Sequence, residues 1–255
     1  MTFNPRKLAL AGLCSLALGS PALLPGGGGR ILGIAPAQAQ PAGPVTFPEG
    51  ISLLQKTCIR HAGLRTGHLK ISSTLPDDWK QDSELWFERP DKLHFISKMV
   101  AKSGETYDTH AVCNQGKLTI WASQPNRSDP KTKNVFMRID APADISELDT
   151  AALFGVAQFV LRLLTGEPNR LAGDRLIKGL ASDQLAVVTK DGQQQDELSI
   201  DVESGLLKSV RARAEGQLMA SGEVTYISVN QPLEPSVFEW KLPDGAKEIK
   251  PNPNP

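Results

Sequence analysis

The mature chain has no apolar run long enough to cross a bilayer, few cysteines, and no excess of charge of either sign. Each shortage excludes something. The longest apolar run, Leu8 to Leu18, has 11 residues, against the roughly 20 that a spanning helix needs. Behind Arg6 and Lys7 it has the length of a signal-peptide core instead. The sequence holds 28 basic and 28 acidic side chains. Arg6, Lys7 and Arg30 lie in the leader, which has no acidic residue, so 25 basic groups remain against 28 acidic ones. That balance gives no electrostatic reason to bind nucleic acid. Of three cysteines, Cys14 falls inside the leader's apolar run. It follows Leu13, where a lipid-attachment signal needs a small residue, so a lipid-anchored form is not expected. Cys58 and Cys113 remain, an even pair for an oxidising compartment. Either they form a disulfide, closing a loop of about 55 residues worth roughly 4 kcal/mol, or they are two separate buried thiols.

Catalytic and metal-binding signatures are missing as well. There is no G-x-S-x-G, no H-E-x-x-H and no C-x-x-C. Cys58 and His61 make a C-x-x-H that lacks the second cysteine of haem attachment, and His68 nearby completes no recognised metal pattern. The carboxylates are scattered along strand-like segments, without a pair that spacing singles out as acid and base. The expectation is a protein that is not an enzyme, with no cofactor and no metal.

What is present divides into three parts: a signal peptide over 1–39, one domain over 40–250, and a disordered tail over 251–255. Ala37-Gln38-Ala39 supplies the small–x–small cleavage pattern, and Pro41 to Pro48 reads as a linker. Ile51, Leu54, Cys58, Ile59 and Ala62 then recur at helical spacing, with Gly63 just past the end. Beyond them the period becomes two. Leu85 and Phe87 share one face, with Glu84 and Glu88 on the other. Leu93, Phe95 and Met99 alternate with Lys92, His94 and Lys98. Leu118 and Ile120, then Val135, Met137 and Ile139, continue the pattern. Turns fall at Arg89-Pro90-Asp91-Lys92, Ser103-Gly104 and Asn114-Gln115-Gly116. Such alternation is that of an antiparallel meander with one greasy and one wet face.

The segment Ala151 to Leu164 has only Gln158 and Arg162 as polar members, and a helix apolar nearly all round must be buried. It is either a core helix under the sheet or a plug that moves when cargo enters. Strands resume at Gln184–Thr189, Glu197–Val202, Leu206–Arg213, Glu223–Val229 and Val237–Leu242. The basic residues Lys208, Arg211 and Arg213 read as a solvated strand edge. The fold class expected is mostly β (α+β): a strongly curved antiparallel sheet of about ten or eleven strands, covered by two or three helices. Helices fill a curved sheet less completely than a second sheet would. The residues expected to line the residual hydrophobic cavity are Leu85, Phe87, Leu93, Phe95, Met99, Leu118, Ile120, Phe154, Phe159 and Leu163. Each methylene buried there is worth about 0.8 kcal/mol, so the space favours acyl chains.

The run Glu84-Leu85-Trp86-Phe87-Glu88-Arg89-Pro90-Asp91-Lys92-Leu93-His94-Phe95 resembles the "LW-x-x-RP" hairpin of the periplasmic lipoprotein-carrier family, LolA and LolB and their relatives. Asn114 to Trp121 is similar to that family's "DGK-x-LW" turn. Phe238-Glu239-Trp240-Lys241-Leu242-Pro243-Asp244-Gly245 resembles its closing "F-x-F-x-P-P-x-G" element. The matches run in family order through most of 51–124 and 196–250, while 125–195 matches poorly. The resemblance implies an unclosed β-barrel with a helical lid, carrying lipoprotein or lipid acyl chains in the periplasm. It also implies inner-membrane release machinery, an outer-membrane receptor and a monomer. Arg89 matches the family arginine that latches the lid through hydrogen bonds to loop carbonyls. Its place on the face of Leu85 and Phe87 makes it an inward charge in need of partners. A sensor or interaction module on the same fold, regulating envelope processes without cargo, is the alternative reading. N-terminal sequencing of the exported protein is expected to begin at Gln40; an N-terminus still inside 1–39 would refute that cleavage site.

Overall fold

The structure is a computed structural model and describes residues 50–124, 133–148 and 156–249. A first meander runs through β1 (Thr66–Thr74), β2 (Lys80–Glu88), β3 (Lys92–Val100), β4 (Thr106–Asn114), β5 (Lys117–Ala122) and β6 (Val135–Asp140). A second runs through β7 (Leu176–Ala181), β8 (Gln184–Val188), β9 (Gln194–Ile200), β10 (Leu207–Ala214) and β11 (Gln217–Val229). The two-residue β12 (Lys247–Glu248) follows, and the helices are α1 (Gly50–Ala62), α2 (Ala157–Leu164) and α3 (Pro168–Ala172).

All twelve strands belong to one sheet, in the order β12-β6-β5-β4-β3-β2-β1-β11-β10-β9-β8-β7. The two meanders join where β1 pairs antiparallel with β11, from Gly67 opposite Val229 to Thr74 opposite Ser221. Among the described strands only β12 is parallel, against β6. The sheet stays open, so the fold is an unclosed, curved β-sheet covered by helices. The topology explains why helices lie where they do. β6 and β7 sit near opposite edges, so the chain between them must cross a face of the sheet. Val160, Leu161, Leu163 and Leu164 of α2 and Leu171 of α3 share one apolar core with Leu85, Phe87, Leu185 and Leu198 from both meanders.

Inner and outer faces follow strict alternation in β2, where Gln81, Ser83, Leu85 and Phe87 are buried and their neighbours are not. The hairpin joining β2 to β3 carries a cis Arg89–Pro90 peptide. Phe87 packs its ring on the backbone of Gly67, directly opposite on β1. A Cβ at position 67 would lie inside the van der Waals radius of that ring, so the glycine makes room for the largest inward side chain of its strand.

Several sequence expectations need correction. Ile51 and Ile59 are not on the buried stripe of α1; they are 56% and 72% exposed. The buried stripe is Leu53, Leu54, Thr57, Cys58 and His61, and it escaped notice because two of its members are polar. The expected strand Val237–Leu242 is not a strand. Pro235 opens a 3-10 turn, Pro235–Phe238, and the chain then runs irregularly to Gly245. Lys208 and Arg211 are exposed and Arg213 is half-buried, but β10 is an interior strand between β11 and β9 and not an edge. The segment 66–74, whose polar residues blur the alternation, forms β1, and 176–181 forms the edge strand β7. Of the expected helix Ala151–Leu164, residues 157–164 are helical, while 151–155 lie outside the described residues.

Replacing Phe87 with Ala should cost about 3–5 kcal/mol. Urea denaturation with an unchanged m-value would measure it, and a loss under 1 kcal/mol would show that the ring does not pack as described.

Candidate functional site

The concave wall of the first meander is built in four cross-strand rows. The row nearest the β2–β3 hairpin is Gly67, Phe87, Leu93, Cys113, Leu118 and Ile139. The next is Tyr226, Leu69, Leu85, Phe95, Ala111, Ile120 and Met137. A third holds Ile71, Ser83, Ser97, Thr109 and Ala122, and a fourth Gly222, Ser73, Gln81, Met99 and Tyr107. Of the residues expected to line a cavity, Leu85, Phe87, Leu93, Phe95, Leu118 and Ile120 fall in the first two rows, all buried. Met99 is buried too but stands beside Gln81 in the fourth row. Leu163 lies in the same core, Phe159 packs half-buried against it, and Phe154 lies outside the described residues. The apolar rows share one buried core with α1 and α2, and α1 packs against β7 and β8 of the second meander. A half-open groove of about 540 Å³ lies elsewhere, between the 145–147 turn and α3; Leu148, Arg162, Leu171 and Arg175 border it, and none of the expected lining residues does.

Arg89 stands at the end of the first row, 13% exposed in its side chain. Its Nη1 donates to the carbonyl of Ala62 at 3.0 Å and to that of Leu164 at 3.2 Å. Those two residues are the last of α1 and of α2. Helix C-termini leave carbonyls unpaired and carry partial negative charge, so one guanidinium serves both helix ends. Its Nη2 donates to Asp144 Oδ2 at 2.8 Å, completing an ion pair. Asp144 in turn accepts from the backbone of Ser146 and caps the short turn Ile145–Glu147. The amide of Ile145 donates to the carbonyl of Pro90 at 2.7 Å. Hairpin, turn and both helices are thus tied at one point. Sequence reasoning found Arg89 but missed Asp144; the spacing Asp144 to Glu147 is a capping-box signature that marks it.

α1 is held along its length by polar contacts that its apolar pattern hid. Thr57 donates to the carbonyl of Gly205, and Lys56 to that of Val202. Gly205 has a φ of 73°, and a Cβ there would lie 3.3 Å from Arg60, so a larger residue would be strained and would crowd α1. His61, fully buried, bonds the Thr57 carbonyl through Nδ1 at 2.8 Å and the Tyr226 hydroxyl through Nε2 at 2.8 Å. Burial pushes its pKa down to about 4, so the ring is neutral, with Tyr226 donating to it. Cys58 and Cys113, for which a bridge and two thiols were both open, are free and buried, and burial raises both thiols to about 11. At that value thiolate is scarce and both are inert.

The outer face carries a ladder the sequence did not reveal. His68 stacks on Trp86 at 4.7 Å, and His94 follows at 5.5 Å from Trp86. His110 lies 5.7 Å from His94 and stacks at 4.7 Å on Trp240. His94 Nδ1 bonds the Val237 carbonyl at 2.6 Å, and Phe238 is buried beneath Lys92. The segment expected as a closing strand is therefore a strap across the outside of β3 and β4.

No family model matches the chain, and no curated protein sequence does. Solved structures similar to it include LprF from Mycobacterium bovis, at 12% identity and a TM-score of 0.37, with 78% of this chain and 98% of that one covered. The Pseudomonas aeruginosa MucA/MucB complex is similar over 74% of this chain and 60% of that one, at 15% identity and a TM-score of 0.35. A LolA superfamily protein from Nitrosomonas europaea is similar at 13% identity and a TM-score of 0.30, over 76% and 97% of the two chains. All three scores lie below 0.5, and the fold is defined here by the chain's own strand order.

The Arg89–Asp144 pair sets a pH dependence. Burial alone would raise the Asp144 pKa, but the bonds from Arg89 and Ser146 outweigh it and hold the carboxyl below its usual value. A carboxyl depressed in the folded state stabilises above its unfolded pKa, about 3.9, and that contribution fades as pH falls through the lower folded value. Asp144→Asn should therefore melt below wild type at pH 7, with the gap closing below about pH 4. His61 and His110, each lowered to about 4, weaken both proteins alike between pH 6.5 and 4 because protonation favours the unfolded chain. A gap that stays constant down to pH 2 would refute the pairing.

Proposed function

We propose that the chain is an exported, periplasmic carrier or binding protein for an acylated amphiphile, a lipoprotein or a lipid, held against the apolar rows of the concave wall. The observation that carries this reading is the meeting of two helix ends on Arg89. Both helices share a core with the apolar rows, and both end on the same guanidinium, so releasing that side chain removes the one tie they have in common, with α1 still held by Lys56, Thr57 and His61. Losing three charge-assisted bonds costs roughly 1.5–3 kcal/mol each. An acyl chain of about twelve methylenes returns roughly 10 kcal/mol on burial. The two are of the same order, and the helix leucines uncovered by opening add to the cost. Long acyl chains, not short ones, are the cargo that such a cover admits. Inner-membrane release machinery and an outer-membrane receptor are the partners that go with this role.

A second reading is favoured by the complete coverage of the wall, where Leu85, Phe87, Leu93 and Phe95 are all at 0% exposure. A sensor or interaction module on the same fold needs no interior space, and it would yield a stoichiometric protein partner in a pull-down. Native mass spectrometry of the protein taken gently from its own envelope separates the two. The carrier reading expects bound lipid mass, and expects Arg89→Leu to fold yet exchange a fluorescent fatty-acyl probe several-fold faster. An empty spectrum together with no probe binding would overturn it.

A further inference from the structure

We propose that the polar end of the concave wall is a subsite for an uncharged, hydrogen-bond-donating group of the bound amphiphile, such as a hydroxyl or an amide N–H. This rests on the carrier reading and specifies what its site recognises. Ser73, Gln81, Ser83, Ser97 and Thr109 all face inward from four neighbouring strands, β1 to β4, and all are buried. An inner wall that served only to meet helices would be apolar along its whole length, as the first two rows are. Burying hydroxyls and an amide without partners costs free energy.

Gln81 points most directly to a ligand. It is 2% exposed, its Nε2 donates to Ser97 Oγ at 2.8 Å, and its Oε1 has no partner. Turning the amide over moves the deficit to the nitrogen without removing it, because Ser97 satisfies only one side of the group. With Nε2 engaged by Ser97, the free atom is an acceptor and calls for a donor. Ser83 and Thr109 flank Ser97 on either side in the adjoining row, and add hydroxyls that accept or donate. No charged residue faces inward from the third and fourth rows on these strands. A phosphate or carboxylate would therefore enter without a counter-charge, and the group that fits is neutral. Successive rows are about 7 Å apart along the strands. A tail on Leu85 and Phe87 then leaves its neutral linkage near Gln81, roughly 14–20 Å away.

The test uses the mature full chain loaded with a fluorescent fatty-acyl probe. Three competitors of one chain length displace it: a monoacylglycerol with hydroxyl donors, a primary fatty amide with N–H donors, and a methyl ester that only accepts. At least one donor-bearing competitor should displace the probe about tenfold better than the methyl ester, the effect of one well-made hydrogen bond. Which of the two does so identifies hydroxyl or amide as the source. In Gln81→Leu that advantage should shrink below about threefold while methyl ester affinity holds. Should the leucine variant melt far below wild type, Gln81→Met and the pair Ser97→Ala with Thr109→Val serve the same purpose. Equal displacement by all three competitors in wild type, or an advantage that survives in the folded variants, overturns the subsite alone; the deficit at Gln81 is then met by water. Failure to bind the probe at all overturns the carrier reading, and the subsite with it.

Discussion

A guanidinium at the inner end of a strand cannot be left among leucines, because an unpaired buried charge costs several kcal/mol. Arg89 meets that constraint with oxygens drawn from three separate parts of the chain: the ends of α1 and α2, and Asp144. The arrangement holds only if both helices stop where they do and lie as they do on the sheet. The ends of both helices and the 145–147 turn therefore converge on the needs of one side chain. Arg89 Nε remains without a partner, so the anchoring is not saturated. A clasp with one donor unspent is weaker than a fully satisfied one.

The inner and outer faces of the first meander divide their chemistry in different ways. The inner face is graded along the strands, from Phe87 and Leu93 at the hairpin end to Gln81 and Ser73 at the other. The outer face is organised across the strands, as a run of imidazole and indole rings ending under Trp240. A sheet with two covered faces holds its strands from both sides, by the helices within and the strap outside.

Much of the fold was legible because β2, β3 and β5 obey period two with few exceptions. Arg89 was legible because its parity with Leu85 and Phe87 put a charge where none belongs. The features that stayed hidden have a common cause. Thr57 and His61 in α1, and Ser97 in the wall, are polar side chains buried with partners on other elements of the fold. Hydropathy counts them as solvent-facing, and only the fold reveals what satisfies them. Phe238 and Trp240 misled in the opposite sense: their spacing is that of a strand, but they are spent in crossing other strands rather than pairing with one.

The joint between the meanders sets the order in which the molecule can assemble. β1 is nearly the first strand made, yet its second neighbour is β11, close to the C-terminus. Until residues near Val229 have been released from whatever delivers the chain, β1 offers one open edge. His61 lacks Tyr226 for the same interval, and α1 lacks the Gly205 carbonyl. Local hairpins can form early, but the centre of the sheet is a long-range closure, which is the slow kind. The nascent first half therefore passes through a stage with a bare apolar trough and an unpaired strand edge, and in that interval it is exposed to association with copies of itself.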